Sequence, residues 1–338
     1  MITAYHFVMS CIVTGAVAFN TISLRARSKN YVLGIIWLFV AIFVGLRFEV
    51  GGDWHNYLRK FDSSRGENLF HTILINKDIG YALLVFFANK INAGIWLPNL
   101  ICAVLFVIGF RKLNLTSSQP ALFLLICFPY IITIVAMGYT RQSAAIGCAI
   151  LALTNFYDKQ FYRSMFFYLL AISFHKFAVI IVTVIVPLSI LLFVVLVFVL
   201  LLEKLSQYAF FYNYLFSDYV DAAKGAELRA TITLIAGLYL LYICRNTKHK
   251  YKKLMINTSY LSAILFVLSF YYETAVDRIG LYFLYLQPMA LSEFNPKNGR
   301  ILNSALYVCI VLCYFALLII WFAVSDNVHT WAPYRFYI

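Results

Sequence analysis

The sequence predicts an all-α polytopic membrane protein of about twelve transmembrane helices. Three observations carry that reading. Of 338 residues, 63% are apolar and only 12% charged. Mean hydropathy is +0.83. The basic residues gather in short connections between long apolar runs. A soluble chain carries about a quarter charged residues, so this one has far more apolar surface than a soluble core can take. Composition excludes a disordered chain, a disulfide scaffold and an ordinary cytosolic enzyme.

A spanning helix needs about 20 apolar residues. In chain order the candidates are 2–23, 31–46, 93–110, 120–136, 141–156, 162–174, 176–188, 189–203, 229–244, 254–271, 279–293 and 301–323. The first lacks a basic leader and a small-residue cleavage site, so it reads as a retained span. Segment 79–91 is apolar but, at about 13 residues, marginal for a span. Lys and Arg favour the cytoplasmic side. Arg25, Arg27 and Lys29; Arg111 and Lys112; Lys159 and Arg163; the run from Arg245 to Lys253; and Lys297 with Arg300 form five basic connections. All five share that side if 79–91 stays outside and 176–203 crosses twice, turning near Pro187. One membrane domain, 1–338, results, with both termini and two sizeable loops, 47–92 and 204–228, outside.

The net charge of +13 is then a sidedness signal and needs no nucleic-acid partner. The seven cysteines form no CxxC pair, so neither a zinc site nor a disulfide framework is expected. Gly51 and Gly52 lack the Lys of a P-loop. Carboxylates are scattered with no Asp-x-Asp, so no metal and no cofactor is expected.

Ionisable groups near membrane depth are costly and usually functional. Here they cluster at outer helix ends. Arg47, Gly51, Gly52, Asp53, Trp54 and Tyr57 follow the second span, where Arg47 and Asp53 can pair across a glycine turn; an interfacial Arg/Trp/Tyr anchor fits equally. Arg141 and Gln142 open a helix after Gly138, and a helix N-terminus favours anions. Ser143, Ala144, Ala145 and Gly147 then let a helix or a lipid chain approach closely; an Arg snorkelling to the interface is the less favoured alternative for Arg141. Phe174, His175 and Lys176 make a tight turn in which His175 is either a structural hydrogen-bonding residue or an acid/base group. Asp277 and Arg278 are adjacent, so they face different ways on a helix, ahead of Tyr282 and Tyr285. Arg229 opens another inward-running helix. Trp331, Pro333, Tyr334, Arg335 and Tyr337 read as an aromatic interfacial anchor. Arg47, Arg141, Arg229 and Arg278 together suit a multiply charged anion, for which a lipid pyrophosphate at the outer leaflet is the natural candidate.

The order of these residues resembles the EpsG-like family of the Wzy-type polymerases. The matching motifs are Arg47, Gly51, Gly52, Asp53 and Tyr57; Gly138, Arg141, Gln142 and Ala145; Phe174 and His175; Asp277, Arg278 and Tyr282; and Pro333 to Tyr337. Gly52 departs from a Thr-like residue expected in many members. The resemblance implies a glycosyltransferase-C-like multi-helix bundle in the bacterial inner membrane, its active site facing the periplasm or exterior. It implies polymerisation of O-antigen, capsule or exopolysaccharide repeat units. The growing glycan would pass from undecaprenyl pyrophosphate to the non-reducing end of a lipid-linked acceptor, without metal or nucleotide. A flippase and a chain-length regulator are implied partners, beside membrane lipids. His175, Asp53, Arg141 and Arg278 are expected to be catalytic, with His175 or Asp53 as the base. Arg47, Gln142, Arg229, Asp277, Tyr57 and Tyr282 are expected to bind substrate. A lipid-linked-oligosaccharide flippase is the alternative, disfavoured because no internal repeat is visible. A membrane O-acyltransferase would want its His at greater depth.

Overall fold

The structure is a computed structural model, and it describes residues 4–21, 26–185, 226–244, 249–293 and 301–337. Among these the architecture is helical, without a strand ladder. The helices are α1 (Ala4–Thr21), α2 (Ala26–Gly45), α3 (Trp54–Ser63), α4 (Leu69–Asn76), α5 (Ile79–Lys90), α6 (Trp96–Asn114) and α7 (Pro120–Cys127). They continue as α8 (Thr140–Tyr157), α9 (Phe161–Phe174), α10 (Ala226–Cys244), α11 (Lys252–Ser269), α12 (Glu273–Gly280), α13 (Leu286–Ser292) and α14 (Ile301–Val324). Among the described residues four stretches are long and apolar enough to cross a membrane: Ser28–Gly45, Trp96–Asn114, Glu227–Cys244 and Ala305–Val324. Shorter apolar helices include Ala4–Gly15, Ile79–Lys90, Pro120–Ala136 and Phe161–Phe174. The turn near Pro187, the predicted span 189–203, nearly all of loop 204–228 and several of the basic connection residues lie outside the described residues.

Three predicted spans differ in form. Segment 176–188 begins as a 3-10 helix, Lys176–Val184. Six consecutive β-branched residues, Val179 to Val184, crowd the preceding turn and weaken the α-helix. At about 2 Å per residue such a helix reaches only about 18 Å. Segment 279–293 is two short α-helices around a 3-10 turn, Leu281–Phe283. Pro288 has no N–H to give, and it falls in the first turn of α13, where none is needed. Segment 120–136 turns from α7 into a π-helix, Phe128–Ala136. Pro129 removes one regular helix bond, and the wider turn lets Thr133 Oγ1 donate to the Phe128 carbonyl at 2.8 Å.

Glycines set the closest helix contacts. On Gly147 of α8, a Cβ would run into the Leu105 carbonyl and lie 2.5 Å from Phe106 Cα of α6. The small-residue stripe of α8 therefore admits a neighbouring helix at this point. A Cβ on Gly45 would lie 2.7 Å from Leu100 Cα, bringing α2 against the same helix. On α5, Gly80 packs on Ser173 of α9.

Polar groups gather at two ends of the bundle. At one end Asp158 meets Lys112 at 3.3 Å, Lys250 at 3.0 Å and the Tyr251 hydroxyl at 3.2 Å. Glu293 accepts from the Ser118 N–H at 3.1 Å and its hydroxyl at 2.7 Å. All these residues belong to connections that the charge pattern assigns to one side. The candidate site lies at the other end, where both ends of α5 are anchored. Asp78, just before it, meets Arg141, and Asn89 donates to the Phe61 carbonyl of α3 at 3.3 Å. So α5 starts and finishes among elements of the same end.

Of the C-terminal residues expected as an interfacial anchor, Trp331 is enclosed by protein, while Pro333, Arg335 and Phe336 stay exposed. The segment folds back as a strap over the loop after α2. Phe48 N donates to the Arg335 carbonyl at 2.9 Å, Tyr337 N to Leu46 at 2.7 Å and Gly51 N to Thr330 at 2.8 Å. Trp331 is 5% exposed, and its Nε1 donates to the Thr133 carbonyl of the π-helix at 2.8 Å. Burial explains the correction: an interfacial tryptophan keeps one edge in the headgroup layer, whereas this one is enclosed.

Candidate active site

The loop after α2 is shaped by Gly51, whose φ is +110°. That value is open to glycine and strained for other residues. A Cβ there would also strike the Met137 carbonyl, so the loop can lie directly on the Met137–Gly138 break. Trp331 fills the space beside Gly52 and Gly138, which makes it a common floor for both loops.

Arg47 sits behind this surface. Its Nη1 donates to Val44 O at 2.6 Å, Nε to Val50 O at 3.0 Å and Nη2 to Thr140 Oγ1 at 2.7 Å. It is 1% exposed. The expected pairing of Arg47 with Asp53 is not formed, because the guanidinium is taken up by these acceptors. It braces the loop against the start of α8.

Asp53 stands at the N-cap of α3, a position where an aspartate normally accepts from the helix's free N–H groups. Its side chain makes no such bond. Burial raises its pKa from the ordinary value of 3.8, against the lowering influence of Arg278, Arg141 and Lys60. Four residues on, Tyr57 shares the same face of α3. Its hydroxyl accepts from Arg141 N at 3.4 Å and Nε at 3.5 Å, and the guanidinium lies 5.4 Å from the ring centroid.

Arg141, at the first turn of α8, is held on a second side by α5. Its Nη1 donates to Asp78 Oδ2 at 2.6 Å and to the Asn76 carbonyl at 2.9 Å. Asp78 is likewise an N-cap residue whose carboxylate caps nothing. Gln142 is 3% exposed and donates to the Arg278 carbonyl at 2.8 Å, tying α8 to α12. The Arg278 guanidinium lies 5.2 Å from the centroid of the Tyr139 ring. Asp277 faces the other way, as adjacent helical residues should. It pairs with Arg229 at 2.8 Å through Nε and 2.5 Å through Nη2.

His175 occupies the extended link between α9 and the 3-10 helix, φ −160° and ψ 118°. Its Nδ1 is 2.9 Å from the Tyr282 hydroxyl, and Tyr282 is 1% exposed. Burial, then the charges of Arg141, Arg278 and Lys176, push the imidazole pKa down to about 3. No carboxylate is among the groups acting on it.

The structure thus brings Asp53, Tyr57, Arg141, Gln142, Arg278, His175 and Tyr282 to one end of the bundle. Arg229 and Asp277 adjoin as a pair, and Arg47 stands behind. Asp78, Asn76, Tyr139, Lys60 and Trp331 also belong to the site, and sequence reasoning did not place them there. Asp78 was legible only as a carboxylate ahead of a short apolar segment. Chemically, the site offers guanidinium forks suited to phosphate oxygens beside a carboxylate with raised basicity. Among the described residues no three His, Cys, Asp or Glu side chains converge as a metal site.

Residues 30–336 match the EpsG family. No curated protein and no solved structure matches.

Proposed function

The chain belongs to the EpsG family, and from that membership we propose that it is a glycosyltransferase polymerising surface-polysaccharide repeat units. Its donor is a glycan on undecaprenyl pyrophosphate and its acceptor a lipid-linked repeat unit. The observation that carries the reading is the meeting of Asp53, Arg141 and Arg278 at one end of an apolar helical bundle.

In this reaction the acceptor hydroxyl oxygen bonds to the anomeric carbon of the donor glycan, and the bond from that carbon to the diphosphate oxygen breaks. The electron pair leaves with the diphosphate, and Arg141 and Arg278 stabilise the charge that appears there. The hydroxyl proton goes to Asp53. A base works best when its pKa lies near the working pH. The raised Asp53 carboxylate meets that condition better than an imidazole at about 3. His175 instead stays neutral and holds Tyr282. Gln142 and the Arg229–Asp277 pair position Arg278 from either side.

The test is the glycan pattern of a deletion strain. Loss of the polymer ladder with single repeat units retained on the surface is the expected result. Accumulation of unflipped lipid-linked units in the cytoplasm would instead make the protein a flippase.

The site is taken to face the periplasm or exterior of the inner membrane, where a flippase delivers units and a chain-length regulator acts. The anchoring of both ends of α5 beside the site supports a segment that does not cross. A cysteine at Lys90 should therefore react with an impermeant reagent from outside. Labelling solely from the cytoplasm would reverse this orientation.

A further inference from the structure

Around the site, Asp53, Arg278, Lys60 and the exposed Lys77 have no oppositely charged protein partner within ion-pair distance among the described residues. By contrast Arg141 has Asp78 and Arg229 has Asp277. The proposed chemistry uses Asp53 and Arg278, and Lys77 is exposed, which leaves Lys60 over as the half-buried cation. Lys60 is seven residues from Asp53 and three from Tyr57, so the three share one stripe along α3. Tyr57 touches Arg141, and one helical turn is about 5.4 Å, which puts Lys60 one step further along the same wall.

The surroundings of this ammonium are those of a site awaiting an anion. It is half-buried; burial, Arg141 and Lys77 all act against its charge, with Asp78 and Asp53 on the opposing side. Its amine donates no hydrogen bond to the described residues. A cation held near other cations and partly out of water is relieved when a polyanion binds between them.

We propose that Lys60 binds a phosphate oxygen of the substrate's diphosphate headgroup and is the residue by which the site distinguishes a lipid diphosphate from a lipid monophosphate. This rests on the function proposed above. A diphosphate adds charge and acceptor oxygens to what a monophosphate presents. Arg141 is already tethered to Asp78, so the added phosphate needs another donor. Lysine supplies a compact point charge on a flexible stem, able to follow that phosphate as it departs.

The test measures binding of undecaprenyl pyrophosphate, undecaprenyl phosphate and inorganic pyrophosphate to the detergent-solubilised full chain. Lys60→Met keeps the apolar stem and removes the charge, whereas Lys60→Arg keeps the charge. Lys60→Met should weaken the lipid diphosphate roughly tenfold, as loss of one charge-assisted hydrogen bond does. It should leave the lipid monophosphate nearly unchanged, and Lys60→Arg should recover most of the loss. Equal weakening of both lipids, or of neither, would remove Lys60 from the headgroup site. Inorganic pyrophosphate binding as tightly as the lipid form would show that the anion need not come from a lipid. A wild-type protein that binds no lipid diphosphate would defeat the proposed function itself, a result distinct from those of the variants.

Discussion

Asp53→Asn is expected to lower polymerisation roughly a thousandfold, the order of effect attributed to a general base, while lipid-diphosphate binding persists. The amide keeps size and shape but cannot take the acceptor's proton. Stability should change little, because the Asp53 side chain does not cap α3. The pH profile separates the two candidate bases. A base acts in its deprotonated form, so kcat/KM falls as pH drops through its pKa. With Asp53 as base the acid limb lies above the ordinary carboxylate value of 3.8, because burial raises this group. With His175 as base it would lie near 3. His175→Gln should retain substantial chain growth, since Gln can still hydrogen-bond to Tyr282. A His175→Gln variant as inactive as Asp53→Asn would move the proton to the imidazole.

Arg141→Ala should abolish polymer, and Arg141→Lys should leave at best a trace. Removing a preorganised donor from a developing oxyanion costs about 10²–10³ in rate. Here the alanine variant also strands Asp78, whose carboxylate loses its 2.6 Å partner. Lysine restores a charge but has no fork, so it can meet Asp78 or a phosphate oxygen, not both in one plane. It also loses the planar face set over Tyr57. Chain-length analysis of both variants at matched membrane abundance is the measurement. Wild-type ladders from the lysine variant would reduce Arg141 to a charge anchor.

Much of this architecture is legible because hydropathy is a local property. The apolar runs mark the helices, and the order Arg47, Asp53, Arg141, His175, Arg278 marks the residues of one end. The separate facings of Asp277 and Arg278 follow from helical geometry alone. What could not be read is what depends on distant pairing. Asp78 meets Arg141 across 63 residues, and nothing near either residue announces the other. Arg47 carries the same motif as its neighbours in sequence, yet burial turns it into a brace. The strap was misread because Trp, Tyr and Arg near a membrane segment look alike whether they meet lipid or the protein's own loops. Helix form was legible in outline, but the local effects of Pro129, Pro288 and the β-branched run after His175 redrew three segments.

The strap has a consequence in time. Its Arg335 meets Glu49 across 286 residues, so the floor beneath the candidate site is translated long after the loop it supports. At about 5–20 residues per second, roughly 15 to 60 s separate synthesis of the Asp53 loop from that of the segment that seats it. Throughout that interval Asp53 is made and Trp331 is still unwritten. Ribosomal elongation thus sets the earliest moment at which the candidate site can be fully assembled.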